Sequence, residues 1–315
     1  MPLISSYACA KLILLGEHAV VYGYPAVAIP FTGLKLRAMI EPAIGLPAGK
    51  MHVLAPQLDI DADLDQLPPE NLIARTVNLT LHFMDLPIGP TCLLSIHSDI
   101  PFSSGLGSSA ALSIAIIRAL SSFIGHPFNS DEVNALAYQS EQLVHGKPSG
   151  IDNTVISYEK PIHFIKGKIN ETLHPSRDLT FLVADTGVQK STVSSVSYLA
   201  NLRASQPDFV NERFVKIAEW VQRGRTALER GDLNGLAEAM NANQHLLDEL
   251  RLSSSEIDRL VSAAMENGAY SAKLTGGGQG GHILTLVDRS KLEDVRYALQ
   301  VAGAKQVYQT ILKAS

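Results

Sequence analysis

Short apolar runs, separated by polar, glycine and proline positions, dominate the first hundred residues of the chain. Runs of β-branched and aliphatic residues bounded by turn residues are typical of strands. The pattern predicts two paired strands joined by a polar connection and then two further strands, at residues 12–15, 26–29, 36–41 and 92–97. Residues 55–69, rich in Asp and Pro, are predicted to form an exposed excursion, and residues 71–84 a helix.

Helical periodicity replaces this extended pattern after residue 107. Between residues 108 and 123, apolar residues occupy almost every side of a helical wheel, which predicts a buried helix closed by Gly125. A second helix is predicted from about Ser130, where Asn129 and Glu132 have the spacing of a capping box. Gly146 is predicted to end this second helix.

The second half of the chain mixes strands with polar-faced helices. Strands are predicted at residues 179–184, 269–274, 282–287 and 306–312, and helices at residues 211–230, 232–250, 256–267 and 291–301. Ser253 is predicted to cap the third of these helices, with Glu256 three residues later. Because strands and helices alternate unevenly, the pattern favours an α+β second domain packed on an α+β first domain.

Composition narrows the class of protein further. The chain has 315 residues, 46% of them hydrophobic and 18% charged, which is enough for two domains or one large α/β unit. A net charge of −5 without a dense basic stripe argues against nucleic acid or an anionic membrane as the main partner. No membrane span is expected, since glycine and proline break the apolar stretch at residues 19–34. Two distant cysteines, Cys9 and Cys92, fit a reducing compartment.

The strongest chemical signal is the sequence Pro-Phe-Ser-Ser-Gly-Leu-Gly-Ser-Ser-Ala-Ala at residues 101–111, which leads from a strand into the buried helix. Such a loop directs backbone N–H groups at a polyanion, and Gly105 and Gly107 allow close approach, so phosphate is the natural ligand. Serine hydroxyls can bind a phosphate or Mg²⁺. A tight strand-to-helix turn without a ligand is the ordinary alternative.

Two better-known phosphate motifs do not account for this segment. The chain contains no Walker A sequence. Gly105, Gly107 and Ala110 have the spacing of the dinucleotide fingerprint, which also requires an acidic residue about 20 positions later, at the end of a second strand. Asp131 and Glu132 stand at that distance but open a predicted helix. A Rossmann oxidoreductase is therefore the poorer interpretation.

Three further segments carry candidate chemistry, and the first of them, residues 141–153, contains two carboxylates. Glu141 stands in the last turn of a helix, where a carboxylate needs a partner such as a divalent cation. Asp152 follows a Gly/Pro/Ser turn that can hold a carboxylate ready to accept a hydroxyl proton. Taken singly, a solvated glutamate and an Asx turn are the more ordinary interpretations. Five of the six residues 276–281 are glycine, an excess that indicates backbone lying against a ligand or against the first loop, a flexible connector being the alternative.

The fourth segment, residues 11–23, brackets a strand-like run with Lys11, Glu17 and His18. Together the four segments resemble the mevalonate kinases of the GHMP kinase superfamily. Residues 101–111 and 273–281 are similar to features that galactokinases and homoserine kinases share, whereas residues 16–26 and 145–153 are similar to the mevalonate kinase forms. The resemblance extends over nearly the full chain.

The resemblance implies roles for individual residues. Asp152 would be the catalytic carboxylate with Lys11 beside it, and Ser108 and Glu141 would hold Mg²⁺. The ATP phosphates would bind to Ser104, Gly105, Leu106, Gly107, Ser108, Ser109 and Ala110. Substrate would contact Glu17, His18, Asp152, Thr192 and Thr275, beside a glycine loop of Gly276, Gly277 and Gly278. Gln279 departs from the family, which has a small residue there, and so leaves the shape of that loop open.

The resemblance also implies a fold and an activity. The expected fold is α+β, with an N-terminal ribosomal-protein-S5-like domain at residues 1–178, a ferredoxin-like domain at residues 179–315 and the active site in the cleft between them. The expected reaction is ATP- and Mg²⁺-dependent phosphorylation of mevalonate to 5-phosphomevalonate by a cytoplasmic enzyme, and a homodimer is expected. The alternatives are a related kinase for phosphomevalonate or another small alcohol, and a catalytically silent ligand sensor.

Overall fold

The structure, a computed structural model, describes residues 3–102, 104–145, 148–168, 170–188 and 192–315, with the side chains of residues 144, 145, 192 and 193 excepted. The strands are β1 Ile4–Leu15, β2 Ala26–Pro42, β3 Met51–Ala55, β4 Ile60–Asp63, β5 Cys92–Ser98, β6 Ile162–Phe164, β7 Glu171–Thr172, β8 Leu179–Asp185, β9 Ser271–Thr275, β10 His282–Val287 and β11 Gln306–Leu312. The helices are α1 Leu72–Phe83, α2 Ser108–Ile124, α3 Ser130–His145, α4 Ile151–Tyr158, α5 Thr192–Ser205, α6 Pro207–Arg230, α7 Leu233–Glu249, α8 Ser255–Glu266 and α9 Leu292–Val301.

The chain divides into two compact units, each assembled from separate segments. The first unit comprises Met1–Ala10, Leu34–Phe102 and Gly107–Glu159, and the second comprises Lys11–Gly33, Ser103–Leu106 and Lys160–Ser315. Strands β1 and β2, which pair with each other, each contribute to both units. The domain boundary at residue 178 stays a prediction, while the last change of unit along the chain falls after Glu159.

The first unit combines a mixed sheet with a group of helices. The sheet runs in the order β4-β3-β5-β2, with β3 parallel to β5 and the other two pairs antiparallel. Helix α2 contacts α1, α3 and α4. Because its Ala and Ile side chains are buried on nearly all sides, α2 forms the centre of this helical layer, as its sequence predicts.

Two expectations for the first unit need correction. Residues 55–69 are not a simple excursion, because β4 pairs with β3 as a hairpin, and short 3₁₀ turns flank β4. The alternation of Ile60 and Ala62 with aspartates carries the strand signal, which the acidic composition obscures. The segments predicted at residues 26–29 and 36–41 are one strand, β2, which passes through Gly33. A Cβ at Gly33 would lie only 2.5 Å from the Gln309 carbonyl oxygen, so only glycine fits there.

The second unit is built on an antiparallel sheet in the order β11-β8-β10-β9. In chain order these strands occupy positions 4-1-3-2, and with the intervening helices they form a ferredoxin-like arrangement. The predicted strands and the final helix of this region are confirmed. Helices α6 and α7 pack closely together, and Gly224 gives room for Leu15 and Ala239 against α6.

Some local predictions in the second half were wrong or incomplete. Helix α8 is capped by Ser254, whose side chain accepts a hydrogen bond from the Ile257 N–H, and not by Ser253. Helix α6 begins at Pro207, before the predicted start at residue 211, since proline is favourable in a first helical turn. Helix α5 was missed because its Ser/Thr-rich sequence does not gather apolar residues on one face. No described helix is both long and apolar enough to cross a membrane.

In the first half, the predicted helices at residues 71–84 and from Ser130 are confirmed as α1 and α3. Asn129 Oδ1 accepts hydrogen bonds from the N–H groups of Asp131 and Glu132, and Glu132 accepts one from the Asn129 N–H. This reciprocal pair is the predicted capping box. The predicted end of α3 at Gly146 lies outside the described residues.

Candidate active-site residues

The loop before α2 has the backbone conformation that its glycines predict. Gly105 and Gly107 adopt positive φ angles of 76° and 80°, and Gly107 is the N-terminal cap of α2. Since glycine has no side chain with which to cap the helix, the first-turn N–H groups of Ser108, Ser109 and Ala110 depend on other acceptors. A helix start of this kind favours an anion through both its hydrogen bonds and the helix dipole.

Glu141 and the start of α2 come together within the first unit. The Ser109 hydroxyl donates a hydrogen bond to Oε1 of Glu141, whose side chain is buried. The joint role of Ser108 and Glu141 in holding Mg²⁺, which the resemblance implies, stays a prediction, and the Ser109 contact adds a second hydroxyl beside this carboxylate. Ser108 is itself buried at the first position of α2, so both hydroxyls belong to the same helix turn.

Three buried hydroxyl groups, one of them on Ser140 next to Glu141 in the chain, join three helices. Thr76 of α1, Ser113 of α2 and Ser140 of α3 form a connected cluster, with 2.7 Å between the Thr76 and Ser140 oxygens and 3.3 Å from Ser113 to each. Because each hydroxyl is satisfied by another, the cluster is compatible with full burial. The cluster fixes Ser140, and with it the adjacent Glu141, relative to α1 and α2. The sequence did not reveal this cluster.

Asp152 lies in the first turn of α4, where the helix dipole stabilises a carboxylate. Gly150 caps this helix with a φ angle of 90°, and the Thr154 hydroxyl donates to the Gly150 carbonyl over 2.6 Å. The Asn153 amide donates to Asn134 Oδ1 of α3 over 2.6 Å. Asp152 is half-buried. Its neighbours on both sides are therefore anchored, which holds its carboxylate on a rigid backbone.

A second group of predicted residues lies in the second unit, around the end of β1 and the glycine loop. Lys11 is buried in β1, and its backbone N–H donates to the Leu106 carbonyl over 2.9 Å. Ile13, two residues later, is held by Thr275: the Thr275 hydroxyl donates to the Ile13 carbonyl over 3.0 Å and accepts from the Ile13 N–H over 3.2 Å. The predicted contact of Thr275 with substrate stays a prediction, and the structure gives this hydroxyl a role in joining β1 to β9.

Glu17 lies inside the protein and contacts two side chains that the sequence analysis did not assign. Its carboxylate forms an ion pair with Lys273 of β9 and accepts a hydrogen bond from the Asn243 amide over 3.0 Å. All three side chains are fully buried. Burial lowers the pKa of Lys273, and the Glu17 carboxylate opposes that shift. The only sequence signal was a lysine within an otherwise apolar strand. The predicted contact of Glu17 with substrate stays a prediction.

His18 is buried beside the glycine loop. Its Nε2 lies 2.9 Å from the Gly277 carbonyl oxygen, and because a carbonyl only accepts, Nε2 carries the proton. Burial lowers the pKa of His18 to about 4, so the ring is neutral at pH 7 and its Nδ1 is an acceptor. His18 adopts a φ angle of 62°, which strains a residue with a side chain.

The glycine loop at residues 276–281 is confined by backbone on several sides. A Cβ at Gly276 would lie 3.6 Å from the Gly105 carbonyl oxygen. The glycine loop therefore lies against the loop before α2, as its glycine excess predicts. Side chains at Gly278 and Gly280 would overlap the carbonyls of Leu252 and Val188. Gln279 is accommodated because its backbone N–H donates to the Leu252 carbonyl over 2.7 Å while its side chain reaches the Arg251 carbonyl.

The region around Thr192, a predicted substrate contact, is partly described. Thr186 is tied to the glycine loop, since its hydroxyl and its N–H both donate to the Gly281 carbonyl, over 2.9 and 2.8 Å. Thr192 begins α5, and its side chain lies outside the described residues, as do Lys190 and Ser191. The predicted role of Thr192 stays a prediction.

Comparison with known proteins shows the family of the chain. The model of the GHMP kinases N terminal domain matches residues 71–160, and that of the GHMP kinases C terminal domain matches residues 225–305. The chain is 32% identical to the mevalonate kinase of Thermococcus gammatolerans over 97% of its own length and 95% of that protein. The chain belongs to the mevalonate kinase family of GHMP kinases.

Solved structures show that the fold by itself does not separate mevalonate kinases from phosphomevalonate kinases. The chain superimposes on mevalonate kinase of L. major in complex with R-mevalonate with a TM-score of 0.83 and 27% identity, covering 99% of this chain and 96% of that one. It also superimposes on phosphomevalonate kinase of Streptococcus pneumoniae with a TM-score of 0.84, at 18% identity and 98% and 100% coverage. The mevalonate kinase family is therefore assigned by sequence, because the fold is common to both kinds of kinase.

The donor atoms around Glu141 fit the Mg²⁺ ion that a kinase of this family implies. Mg²⁺ prefers oxygen ligands and, when it accompanies a nucleotide, takes one or two protein oxygens together with phosphates and waters. Ser108, Ser109 and Glu141 supply hydroxyl and carboxylate oxygens on two helices, and the Ser109 hydroxyl already contacts the carboxylate. The hard-oxygen chemistry of this group matches the ion.

Proposed function

We propose that this protein transfers the γ-phosphoryl group of ATP to the primary hydroxyl of mevalonate, giving 5-phosphomevalonate and ADP. The observation that carries the proposal is the similarity to mevalonate kinases over nearly the whole chain, at 32% identity to one of them. The described geometry supports it, since the chain has a helix start suited to phosphate at α2, a hydroxyl–carboxylate pair suited to Mg²⁺ at Ser109 and Glu141, and an aspartate in the first turn of α4.

The phosphates of ATP would bind at the N-terminus of α2. Gly105 and Gly107 have no side chains to obstruct the backbone, so the N–H groups of residues 108–110 can reach the phosphate oxygens. Ser108, Ser109 and Glu141 would hold Mg²⁺, which when bound neutralises charge on the phosphates. This group of residues would orient the γ-phosphoryl group for in-line attack, and positioning of this kind supplies much of the rate acceleration.

Asp152 would orient the primary hydroxyl of mevalonate and accept its proton. As the oxygen–phosphorus bond forms, the bond between the γ-phosphorus and the bridging oxygen of ADP breaks, and the hydroxyl proton passes to the Asp152 carboxylate and then to water. The Lys11 ammonium would lower the free energy of the alkoxide that develops on that hydroxyl. This division of roles follows the resemblance of Asp152 and Lys11 to family residues.

His18 would recognise a hydroxyl group of mevalonate. A neutral imidazole whose Nε2–H is directed at the Gly277 carbonyl offers Nδ1 as a hydrogen-bond acceptor, and an acceptor suits a hydroxyl better than a carboxylate. Glu17 and Thr275 have their polar atoms engaged by Lys273, Asn243 and Ile13, so we assign them to the support of this site.

Cellular context and assembly complete the proposal. We infer a cytoplasmic enzyme, since ATP is the co-substrate and the two cysteines, Cys9 and Cys92, are buried. Burial raises the pKa of the Cys92 thiol to about 12, which keeps it unreactive. A homodimer stays a prediction that size-exclusion chromatography with light scattering tests directly.

The deciding experiment measures ADP release by the purified protein with ATP and Mg²⁺ and a panel of mevalonate, phosphomevalonate, galactose and homoserine. We expect turnover with mevalonate only, and its loss when EDTA removes the metal. Turnover with phosphomevalonate or another alcohol in its place would keep the superfamily and refute the substrate. Binding of ATP without turnover on any of the four would favour the ligand sensor.

A further inference from the structure

Lys273 occupies a place where an ammonium group is expensive. It lies in β9 between Ala272 and Leu274, and its side chain is fully buried. Burying a charge costs free energy unless an opposite charge and further hydrogen bonds compensate, and replacing such a pair with apolar residues is often neutral or stabilising. A buried ion pair is therefore weak evidence for a contribution to stability.

The contacts of Lys273 form a closed network around Glu17. The ammonium donates to Oε1 of Glu17 and, over 2.6 Å, to the Leu274 carbonyl. The second carboxylate oxygen accepts from the Asn243 amide over 3.0 Å, and Asn243 Oδ1 accepts from the Gly16 N–H over 3.1 Å. Both carboxylate oxygens and both polar atoms of the Asn243 side chain therefore have partners, and together they fix the turn at residues 16–18.

That turn has a conformation which local sequence preferences alone would not hold. Gly16 and His18, on either side of Glu17, have φ angles of 95° and 62°. A positive φ is strained for His18, and strain of this kind persists where the surroundings over-determine the backbone. The Glu17 side chain anchors the backbone between Gly16 and the strained His18, because its carboxylate is fixed by Lys273 and Asn243.

The same network connects the turn to the glycine loop. Lys273 and Thr275 lie on β9, directly before the glycine loop, and His18 Nε2 lies 2.9 Å from the Gly277 carbonyl within that loop. Helix α7 contacts both the turn and β9. Asn243 Oδ1 accepts a hydrogen bond from the Gly16 N–H of the turn, and the next residue, Gln244, accepts one from the Leu274 N–H of β9 over 2.8 Å. A shift of Glu17 would therefore change where the His18 ring lies relative to Gly277.

We propose that Lys273 and Asn243 are positioning residues for mevalonate recognition, which act by holding Glu17 so that the His18 imidazole keeps one orientation and one tautomer beside the glycine loop. The inference rests on the proposed function for its substrate and assigns Glu17 to support, without substrate contact. An active-site group must be held within a fraction of an ångström by the residues behind it, and this network supplies that constraint.

The test compares variants that loosen the network in different ways. Glu17→Gln removes one charge, Lys273→Met the other, and the double variant Glu17→Gln/Lys273→Met removes both, leaving no unpaired buried charge. Asn243→Ala leaves the ion pair intact and removes only the amide. The matched control is Glu212→Gln/Lys216→Met, which neutralises an ion pair exposed on α6, whose Nζ–Oε1 distance is 2.7 Å. Each variant is assayed for KM of mevalonate, KM of ATP, melting temperature and the histidine ring ¹⁵N chemical shifts.

We expect the double variant and Asn243→Ala to raise KM for mevalonate about tenfold or more, because small misplacements of binding groups are costly. KM for ATP should stay within about twofold, and the control should match the wild type in every measurement. The ¹⁵N shifts of His18, assigned by comparison with His18→Gln, should move from one pure tautomer towards a mixture. A single variant that leaves one buried charge unpaired can unfold. The double variant, which leaves no unpaired charge, is therefore the deciding test of the positioning role.

A folded double variant with wild-type KM for mevalonate and unchanged His18 shifts would overturn the proposal and leave the network a purely structural role. Asn243 likewise has only a structural role if Asn243→Ala keeps the wild-type KM for mevalonate and the wild-type His18 shifts. If the wild-type protein does not phosphorylate mevalonate, the proposed function fails instead. Even then, unchanged His18 shifts in folded variants refute the positioning role, and altered shifts support it.

Discussion

Lys273 and Lys216 carry the same ammonium group in opposite environments. Lys216 is exposed on α6 and pairs with Glu212 one turn away, an arrangement worth only about 0.3–0.5 kcal/mol. Lys273 is fully buried against Glu17, where the loss of one partner costs about 3–5 kcal/mol. At the scale of single residues, burial and partners determine what a side chain does, and the same holds for the aspartates and histidines of this protein.

Asp152 can be tested against an aspartate in a matched position. Asp152→Asn keeps the shape of the side chain but removes the proton acceptor, so we expect kcat to fall by about 10²–10⁴-fold. ATP affinity, measured by calorimetry, should be unchanged. Asp208→Asn is the control, since Asp208 also lies in the first turn of a helix, α6, and is exposed. Near-normal turnover in Asp152→Asn would remove its proposed role.

His18 predicts a pH dependence of stability. Its pKa is lowered by burial from 6.5 to about 4, so the unfolded chain binds the proton more tightly than the folded chain does. The free energy of unfolding should therefore fall as pH decreases from 6.5 towards 4, by up to about 3 kcal/mol from this group. Urea unfolding of the wild type and His18→Gln at several pH values measures the difference. Parallel pH profiles for the two proteins would contradict the expectation.

At the scale of elements, turns and caps set where each functional side chain stands. The capping box of Asn129 and Glu132 starts α3, and Gly107 and Gly150 start α2 and α4 with positive φ angles. These helix starts present Ser109 and Asp152 on rigid backbone. The glycine loop shows the converse case, in which residues are small because other backbone segments lie against them.

Two glycines of that loop differ in a way that can be measured. Gly278 and Gly281 have similar φ angles of 71° and 75°, but a Cβ at Gly278 would overlap the Leu252 carbonyl, whereas a Cβ at Gly281 would have nothing within 4 Å. Both alanine variants should lose about 1 kcal/mol to backbone strain, and Gly278→Ala should lose about 1–3 kcal/mol more to the clash. Denaturant unfolding measures the gap between them. Equal losses would show that the loop shifts to relieve the clash.

The β3–β4 hairpin should weaken as pH rises. His52 lies on β3 with its ring nitrogens 2.8 Å from carboxylate oxygens of Asp61 and Asp63 on β4. These hydrogen bonds raise the pKa of His52 above 6.5, so their stabilisation is complete below pH 6.5 and is lost as pH rises through the raised value. Hydrogen exchange of strand amides, corrected for intrinsic rates, should show declining protection above pH 6.5 in the wild type and a flat profile in His52→Gln. Declining protection in both would assign the effect elsewhere.

At the scale of the whole molecule, each compact unit is assembled from segments distant in sequence. The second unit takes Lys11–Gly33 from the start of the chain and joins it to Lys160–Ser315. Within that unit, Glu17 pairs with Lys273, Ile13 is held by Thr275, and Leu15 contacts Gly224. The N-terminal segment is therefore part of its core.

This organisation predicts that residues 160–315 do not fold alone. Without residues 11–33 the fragment leaves the Lys273 ammonium without its carboxylate and Thr275 of β9 without its hydrogen bonds to Ile13, so we expect no cooperative thermal transition by circular dichroism. Co-expression with residues 1–159 as a second chain should restore the transition. A cooperative transition in the isolated fragment would show that the N-terminal segment is dispensable for folding.

The sequence determined the parts whose signals are local. Helices α1, α2 and α3, the capping box at Asn129, and strands β8 to β11 follow from periodicity and turn residues that act over a few positions. The predicted phosphate loop stands out by its glycines, and Asp152 stands out by the Gly/Pro/Ser turn that precedes it. The resemblance to a kinase family rests on such contiguous segments. Strand β4 and helix α5 were missed because an Asp-rich and a Ser/Thr-rich composition obscured their hydrophobic periodicity.

Tertiary structure decided the contacts between residues far apart in the chain. Nothing in the sequence pairs Glu17 with Lys273, which is 256 positions away, or brings Asn243 of α7 to the same carboxylate. Nor does it show that the Ser109 hydroxyl of α2 contacts Glu141 of α3, since that contact depends on how the two helices pack. Spacing along the chain identifies candidate groups, but only packing determines which atoms meet, because each such contact depends on the register of several elements at once.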